Sequence, residues 1–202
     1  MKEKVIRALY DEDTITVYQA YNKTIALHAI NSQTFVCPPF KKERMTWIKP
    51  SFLWMMYRSG WASKENQEYV LAIKIKREGF EWALENSCLS HFDNAGHTTL
   101  EDWKKKLQAS PVRIQWDPER DIFMQPLHEQ RAIQMGLSGI AVEKYIEEWI
   151  VSIEDITAYS QNIRELIKAY EIDQAKDLLP VEKLYPLPEV LRGGSIFIDS
   201  TR

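Results

Sequence analysis

At 202 residues, with 45% hydrophobic and 11% aromatic side chains, the chain can bury a substantial core in one domain, and its composition excludes a disordered, collagenous or disulfide-scaffolded protein. A net charge of −3 and a pI near 5.9 argue against a general nucleic-acid binder, which carries a domain-wide basic excess. No window approaches the roughly 18 apolar residues of a membrane helix, so no membrane partner is expected.

The segment Met1–Arg7 has basic residues but no apolar run behind them, and so does not read as a signal peptide. Cys37 and Cys88 are too few and too isolated for a disulfide framework or a zinc site, so a reducing, cytoplasmic setting is expected. The charge is unevenly spread. Residues 41–77 carry nine Lys or Arg against three Glu, and residues 121–183 carry twelve acids against six bases. Such polarity can steer an anionic partner toward the first segment, or simply solvate two exposed faces.

In chain order, Val5–Tyr10 reads as a strand, Asp11–Asp13 as a turn, and Thr14–Tyr21, β-branched and aromatic, as a second strand. A helix follows over Lys23–Asn31, and Cys37-Pro-Pro-Phe40 breaks regular structure. Pro50 suits the first position of a helix that runs to about Arg58 and stops at Gly60. Its Ser51, Trp54 and Arg58 share one stripe, with Phe52, Met55, Met56 and Ser59 opposite, so burial on more than one face is expected.

Glu68–Lys76 is the clearest strand of the first half, its end alternating Ile73, Lys74, Ile75, Lys76. A short helix over Gly79–Glu85, a polar loop over Asn86–Leu100 and a helical turn over Glu101–Gln108 come next. Pro111–Trp116 reads as a strand that ends in a type I turn at Asp117-Pro118-Glu119-Arg120. Arg131–Met135 suits another strand, and Ser138 can cap a helix over 139–150 with Ile140, Tyr145, Ile146, Trp149 and Ile150 inward. Residues 150–156 fit strand or continued helix; helices follow over about 158–171 and 173–179. The prolines at 180, 186 and 188 keep the remainder from long helix, and Arg192-Gly-Gly-Ser195 marks a joint before Ile196-Phe-Ile198. Mixed elements without a βαβ rhythm indicate an α+β fold: a single compact domain over 1–191, a mixed or antiparallel sheet packed with several helices, and a tail over 192–202 that can add a strand.

Three constellations can carry chemistry. In Arg44–Trp61 three tryptophans, a tyrosine and three methionines stand beside Arg44, Lys49 and Arg58. Arg44 and Lys49 precede a helix N-terminus, whose free N–H groups and dipole favour phosphate or carboxylate. Trp47 or Trp54 can stack on a ring, and Arg58 can stack or form a bidentate pair. The same run also suits a core helix whose charged residues snorkel to the surface, and it contains neither G-x-G-x-x-G nor a P-loop. The second constellation is Arg7 with Tyr18 and Gln19, able to line a cleft from two strands or simply to occupy them. The third is Arg113, Gln115, Asp117, Arg120 and Asp121, where Asp117 can act as base or ligand, or merely close the turn. His91-Phe-Asp93-Asn-Ala-Gly-His97 matches no zinc spacing, so no metal is expected, and no cofactor is otherwise implied.

The segments Val17–Tyr21, Arg44–Arg58 and Gln115–Asp121 together resemble a family of bacterial and fungal proteins described as a domain of unknown function of similar length. That resemblance covers nearly the whole chain and implies a stand-alone domain, with no activity or catalytic residue attached. A looser likeness is to ADP-ribosyltransferase-like folds, which begin with an Arg- or His-bearing strand, follow with a Tyr- or Ser-bearing one and place a Glu late. It would put Arg7, Tyr18 and Glu143 in that order, with Glu143 in an expected helix rather than a strand.

The leading expectation is a domain that binds a nucleotide or similar anionic, ring-bearing ligand. Arg44 and Lys49 would hold the phosphate, Trp47 or Trp54 would stack on the ring, and Arg7, Tyr18 and Arg113 would complete the cleft, with Gln19, Ser51, Arg58 and Asp117 as further ligand-binding candidates. As an enzyme it would be a transferase that works by positioning and charge stabilisation. The competing expectation is a protein- or RNA-interaction module with the aromatic helix as core.

Overall fold

The computed structural model describes residues 4–92, 99–192, 194, 196 and 197. His97 and Ile198, which figured in the sequence reading, lie outside the described residues. The chain is a mixed α+β domain with two principal sheets.

The three-stranded sheet is antiparallel, with β4 (Tyr69–Lys76) between β2 (Thr14–Tyr21) and β8 (Ile150–Asp155). The four-stranded sheet runs β3 (Thr46–Ile48), β7 (Pro126–Leu137), β6 (Val112–Arg120), β5 (Ser87–Leu89); only the β5–β6 pair is parallel. A minimal pair, β1 (Arg7–Ala8) with β9 (Lys183–Leu184), brings the C-terminal part of the chain back to the start. The two large sheets meet where the Tyr18 N–H donates to the Lys49 carbonyl at 2.8 Å, one residue past β3.

Helix α1 (Lys23–Ser32) starts at Asn22, whose side chain accepts the Ile25 N–H. Helix α2 (Phe52–Ser59) is shifted from its expected start: Ser51, not Pro50, is the boundary residue, its hydroxyl accepting the Trp54 N–H. Its end is as expected, with Gly60 left-handed at φ 60° and its N–H reaching Met56 and Tyr57 carbonyls. Trp61 and Ala62 continue at positive φ, an uncommon conformation for residues with a Cβ. After α3 (Arg77–Glu85), the expected polar loop contains the short buried β5. Helix α4 is Leu100–Ala109.

Two further expectations are corrected. Asp117-Pro118 is not a turn: β6 continues to Arg120 with a bulge after Pro118, where a residue without N–H does no harm to the ladder. The reversal is made by Asp121, whose carboxylate accepts the Phe123 and Gln125 N–H groups. Helix α5 (Ile140–Lys144) is also shorter than expected, passing through one wide turn over Tyr145–Trp149 into β8. Ile140 is exposed, not inward. Helices α6 (Thr157–Lys168) and α7 (Ile172–Asp177) precede β9. Ile196 and Phe197 lie in a turn, and the Ile196 carbonyl accepts the Trp116 indole N–H at 2.8 Å.

One apolar cluster joins the inner faces of both sheets, including Val17, Ile73, Ile114 and Met135, with Ala26 and Ala29 of α1 and Phe80 of α3. A second lies around α2, where Phe52, Met55 and Met56 meet Tyr18, Trp61, Val70 and Ile163. Helix α2 is therefore a core helix on one side, and its other side is free to shape a cleft. No helix among the described residues is long and apolar enough to cross a membrane.

Candidate functional site

A cleft of about 1210 Å³ opens beside the sheet junction, lined from β2, β3, α2, β6 and β7 and by the segments around residues 39–45 and 65–67. Seven of the eleven residues expected to bind the ligand line it, Gln19, Arg44, Trp47, Lys49, Trp54, Arg58 and Asp117, as do Gln115 and Arg120 of the third constellation. Arg7, Tyr18, Ser51 and Arg113 are not among its lining residues, and Glu143 lies exposed on α5. Arg113 donates to the Leu107 carbonyl instead. Tyr18 is buried with its ring edge-on to Phe52, 5.6 Å between centroids.

The expected anion site at the N-terminus of α2 is occupied by the protein itself. Glu182 accepts the Phe52 N–H at 2.7 Å, Ser51 accepts the Trp54 N–H, and the Ser51 hydroxyl donates to Glu119 at 2.9 Å. The dipole and free N–H groups of the helix thus act on internal carboxylates. Burial raises both acids, Glu182 to about 8, with the neighbouring Glu119 adding to the rise and Arg7 and the Phe52 N–H opposing it.

The cleft floor is a closed polar network. Gln19 donates from its amide to the Thr46 hydroxyl, the Trp47 carbonyl and the Tyr21 hydroxyl at 2.7, 3.1 and 3.0 Å, and accepts from Tyr145 at 2.8 Å. Burial pushes Tyr21 up to about 12, keeping it a neutral hydroxyl. With both ends of its amide engaged, Gln19 fixes β2 against β3. Trp47 faces Gly136 across the β3–β7 ladder, where a Cβ would stand 2.9 Å from its indole. The glycine makes room for that ring.

Along the wall, Lys49 stands 5.9 Å from the Trp54 ring centroid, Trp54 6.1 Å from Tyr57, and the Arg120 guanidinium stacks at 3.6 Å on Tyr57. Lys49 is the one charged side chain classed as buried among the described residues, 7% exposed, and its amine donates to the Trp47 carbonyl at 3.0 Å. Desolvation, with Arg58 as a second positive charge, lowers it to about 7. No ion pair engages Arg44, Lys49, Arg58 or Arg120 among the described residues.

Four buried polar atoms around this cleft have no hydrogen-bond partner: Trp54 Nε1, Arg120 Nε, Gln134 Nε2 and Asp117 Oδ2. One other such atom occurs among the described residues, Ser160 Oγ, away from the cleft lining. Buried polar groups are nearly always paired, and these three donors and one acceptor are gathered around one cleft. Gln134 was missed in the sequence; its signal is an amide inside the apolar run Ala132-Ile133-Gln134-Met135. Arg120 belongs to the third constellation but was not among the residues expected to hold the ligand. Among the described residues no group of three or more His, Cys, Asp or Glu could hold a metal ion.

The family model of the domain of unknown function DUF4291 matches residues 5–185. The chain belongs to the DUF4291 family. No curated protein matches it in sequence. The DUF4291 match spans every element from β1 to β9 and contains every residue that lines the cleft.

Proposed function

We propose that the protein binds an anionic, ring-bearing small molecule of the nucleotide type in the cleft between β3, α2 and the β6–β7 hairpin. The observation that carries this reading is the set of unpartnered polar atoms on Trp54, Arg120, Gln134 and Asp117. The donors call for ligand acceptors, and the Asp117 oxygen for a ligand hydroxyl or N–H. Five cations line the cleft, Lys41, Arg44, Lys49, Arg58 and Arg120, against Glu65 and Asp117, which supports a ligand of negative charge. Trp47, Trp54 and Tyr57 supply flat surfaces for its ring. In this reading Arg44 and Arg58 hold the anionic group, and Gln19 keeps the floor rigid.

Thermal unfolding with a panel of nucleotides and dinucleotides tests it. A ligand present at about 100 times its Kd should stabilise the protein by about 2.7 kcal/mol. Arg58→Ala should weaken that ligand by about tenfold, the loss of one charge-assisted contact. No shift with any nucleotide or dinucleotide would overturn the proposal.

A further inference from the structure

Lys49 follows β3 directly and lines the cleft. Its amine is buried, has no carboxylate partner among the described residues, and makes its hydrogen bond to a carbonyl that Gln19 already serves. It lies on the cleft wall, 5.9 Å from the Trp54 ring centroid, and Arg58 lines the same cleft. Desolvation and a neighbouring cation are the two devices by which a lysine becomes a nucleophile, since both favour the amine over the ammonium. The same surroundings lower its proton affinity to about 7, in a cleft that Arg44, Arg58 and Arg120 also line.

We propose that Lys49 is the reactive group of the cleft and forms an imine with the carbonyl carbon of an anionic aldehyde or ketone ligand. The proposal rests on the reading of the cleft as a site for anionic, ring-bearing molecules and adds covalent chemistry to it. The Nζ lone pair forms the C–N bond while the carbonyl oxygen takes a proton, giving a carbinolamine. The nitrogen then gives up a proton as the hydroxyl leaves as water, and the imine forms with no oxidation or reduction. Arg58 disfavours the ammonium form of the amine, and Arg44 and Arg58 hold the ligand's negative charge.

Pyridoxal 5′-phosphate, a ring that bears both a phosphate and an aldehyde, is the probe. The protein is incubated with a limiting amount at neutral pH and reduced with borohydride, whose hydride converts the imine to a stable secondary amine. Peptide mass spectrometry then locates the label, and thermal unfolding before reduction reports binding. The expected result is labelling of Lys49 about tenfold faster than of any exposed lysine, with Lys49→Met unlabelled at that peptide. In Arg58→Ala the amine should hold its proton to higher pH, so that labelling falls severalfold at neutral pH and recovers in alkali, a change that a purely structural lysine would not show. If the probe stabilises the protein and a nucleotide displaces it, but Lys49 stays unlabelled, the covalent proposal fails and the cleft reading stands. If neither the probe nor any nucleotide binds, both fail. Labelling of Lys49 no faster than of exposed Lys41 or Lys64 also overturns the proposal.

Discussion

Replacing Lys49 with Met should make the protein more stable, and by an amount that depends on pH. The ordinary lysine value is 10.5, and burial with Arg58 nearby lowers it to about 7 in the fold. Between those values the unfolded chain binds a proton that the folded chain lacks, so the contribution of Lys49 to wild-type stability should rise with pH from about 7 toward 10.5. The difference corresponds to on the order of 5 kcal/mol, with a limiting slope of about 1.4 kcal/mol per pH unit. Methionine fills a similar volume without the charge, and its loss of the bond to the Trp47 carbonyl costs about 1 kcal/mol. The expected net gain is about 2–4 kcal/mol at or below neutral pH, shrinking steadily as pH rises. Urea unfolding of both proteins at about pH 6, 7.5 and 9 measures it, all below the range where tyrosines titrate. Burial raises Tyr18, Tyr21 and Tyr145, which adds an opposite slope only above about pH 10. A gain from Lys49→Met that is equal at the lowest and highest pH would refute the reasoning, because it would mean the amine stays protonated throughout.

Glu182 should behave in the opposite sense. Its carboxyl rises from 4.5 to about 8, so the folded chain holds a proton that the unfolded chain loses, and stability should fall as pH climbs through that window. Glu182→Gln still accepts the Phe52 N–H and should flatten the decline, measured as the change in urea midpoint between about pH 5 and 8. Gly136→Ala puts a Cβ 2.9 Å from the Trp47 ring and 2.6 Å from the Met45 sulfur. It should cost about 1–3 kcal/mol in chemical denaturation and change Trp47 fluorescence; an unchanged emission spectrum would refute the packing account. Ser51→Ala removes the bonds to the Trp54 N–H and to Glu119 and should cost about 1–2 kcal/mol in the same assay. Trp54→Phe removes an indole N–H that has no partner, so stability should change by less than about 1 kcal/mol while affinity for the cleft ligand falls. Equal losses of both would show the indole to be purely structural.

The elements that were legible in the sequence are those with local causes. Thr14–Tyr21 is β-branched and aromatic throughout, and the strand has those bounds. The end of α2 at Gly60 follows from the left-handed geometry that glycine accepts without strain. The misreadings arise where a distant partner decides. Ser87–Leu89 is too short to show a period and becomes a strand only because β6 runs parallel beside it. Asp117-Pro118 has the composition of a turn, but pairing with Ala132 and Arg131 carries the strand past it. The site divides in the same way. The cationic, aromatic character of Arg44–Arg58 is written in one contiguous run, whereas Gln134 and Arg120 join it only once the β6–β7 hairpin lies against β3. The acids that cap α2 come from residues 119 and 182, so a local reading of that helix N-terminus assigned its anion to an outside ligand.

Glu182 and Lys49 both stand near the start of helix α2, and burial shifts both toward their neutral forms, yet they differ in what the fold gains from them. The Glu182 carboxyl accepts a helix N–H that would otherwise be open, a return on its desolvation. Lys49 donates to a carbonyl that already has a donor in Gln19, and its positive charge is opposed by Arg58 rather than matched by an acid. The two do not pair with each other, although a buried Lys–Glu contact would relieve both. An uncompensated amine of this kind lowers stability wherever it is placed, and here it is placed in the cleft that also holds the open donors of Trp54, Arg120 and Gln134. The coincidence of the least compensated charge with the least satisfied hydrogen-bonding groups is what directs attention to chemistry at Lys49 rather than to packing around it.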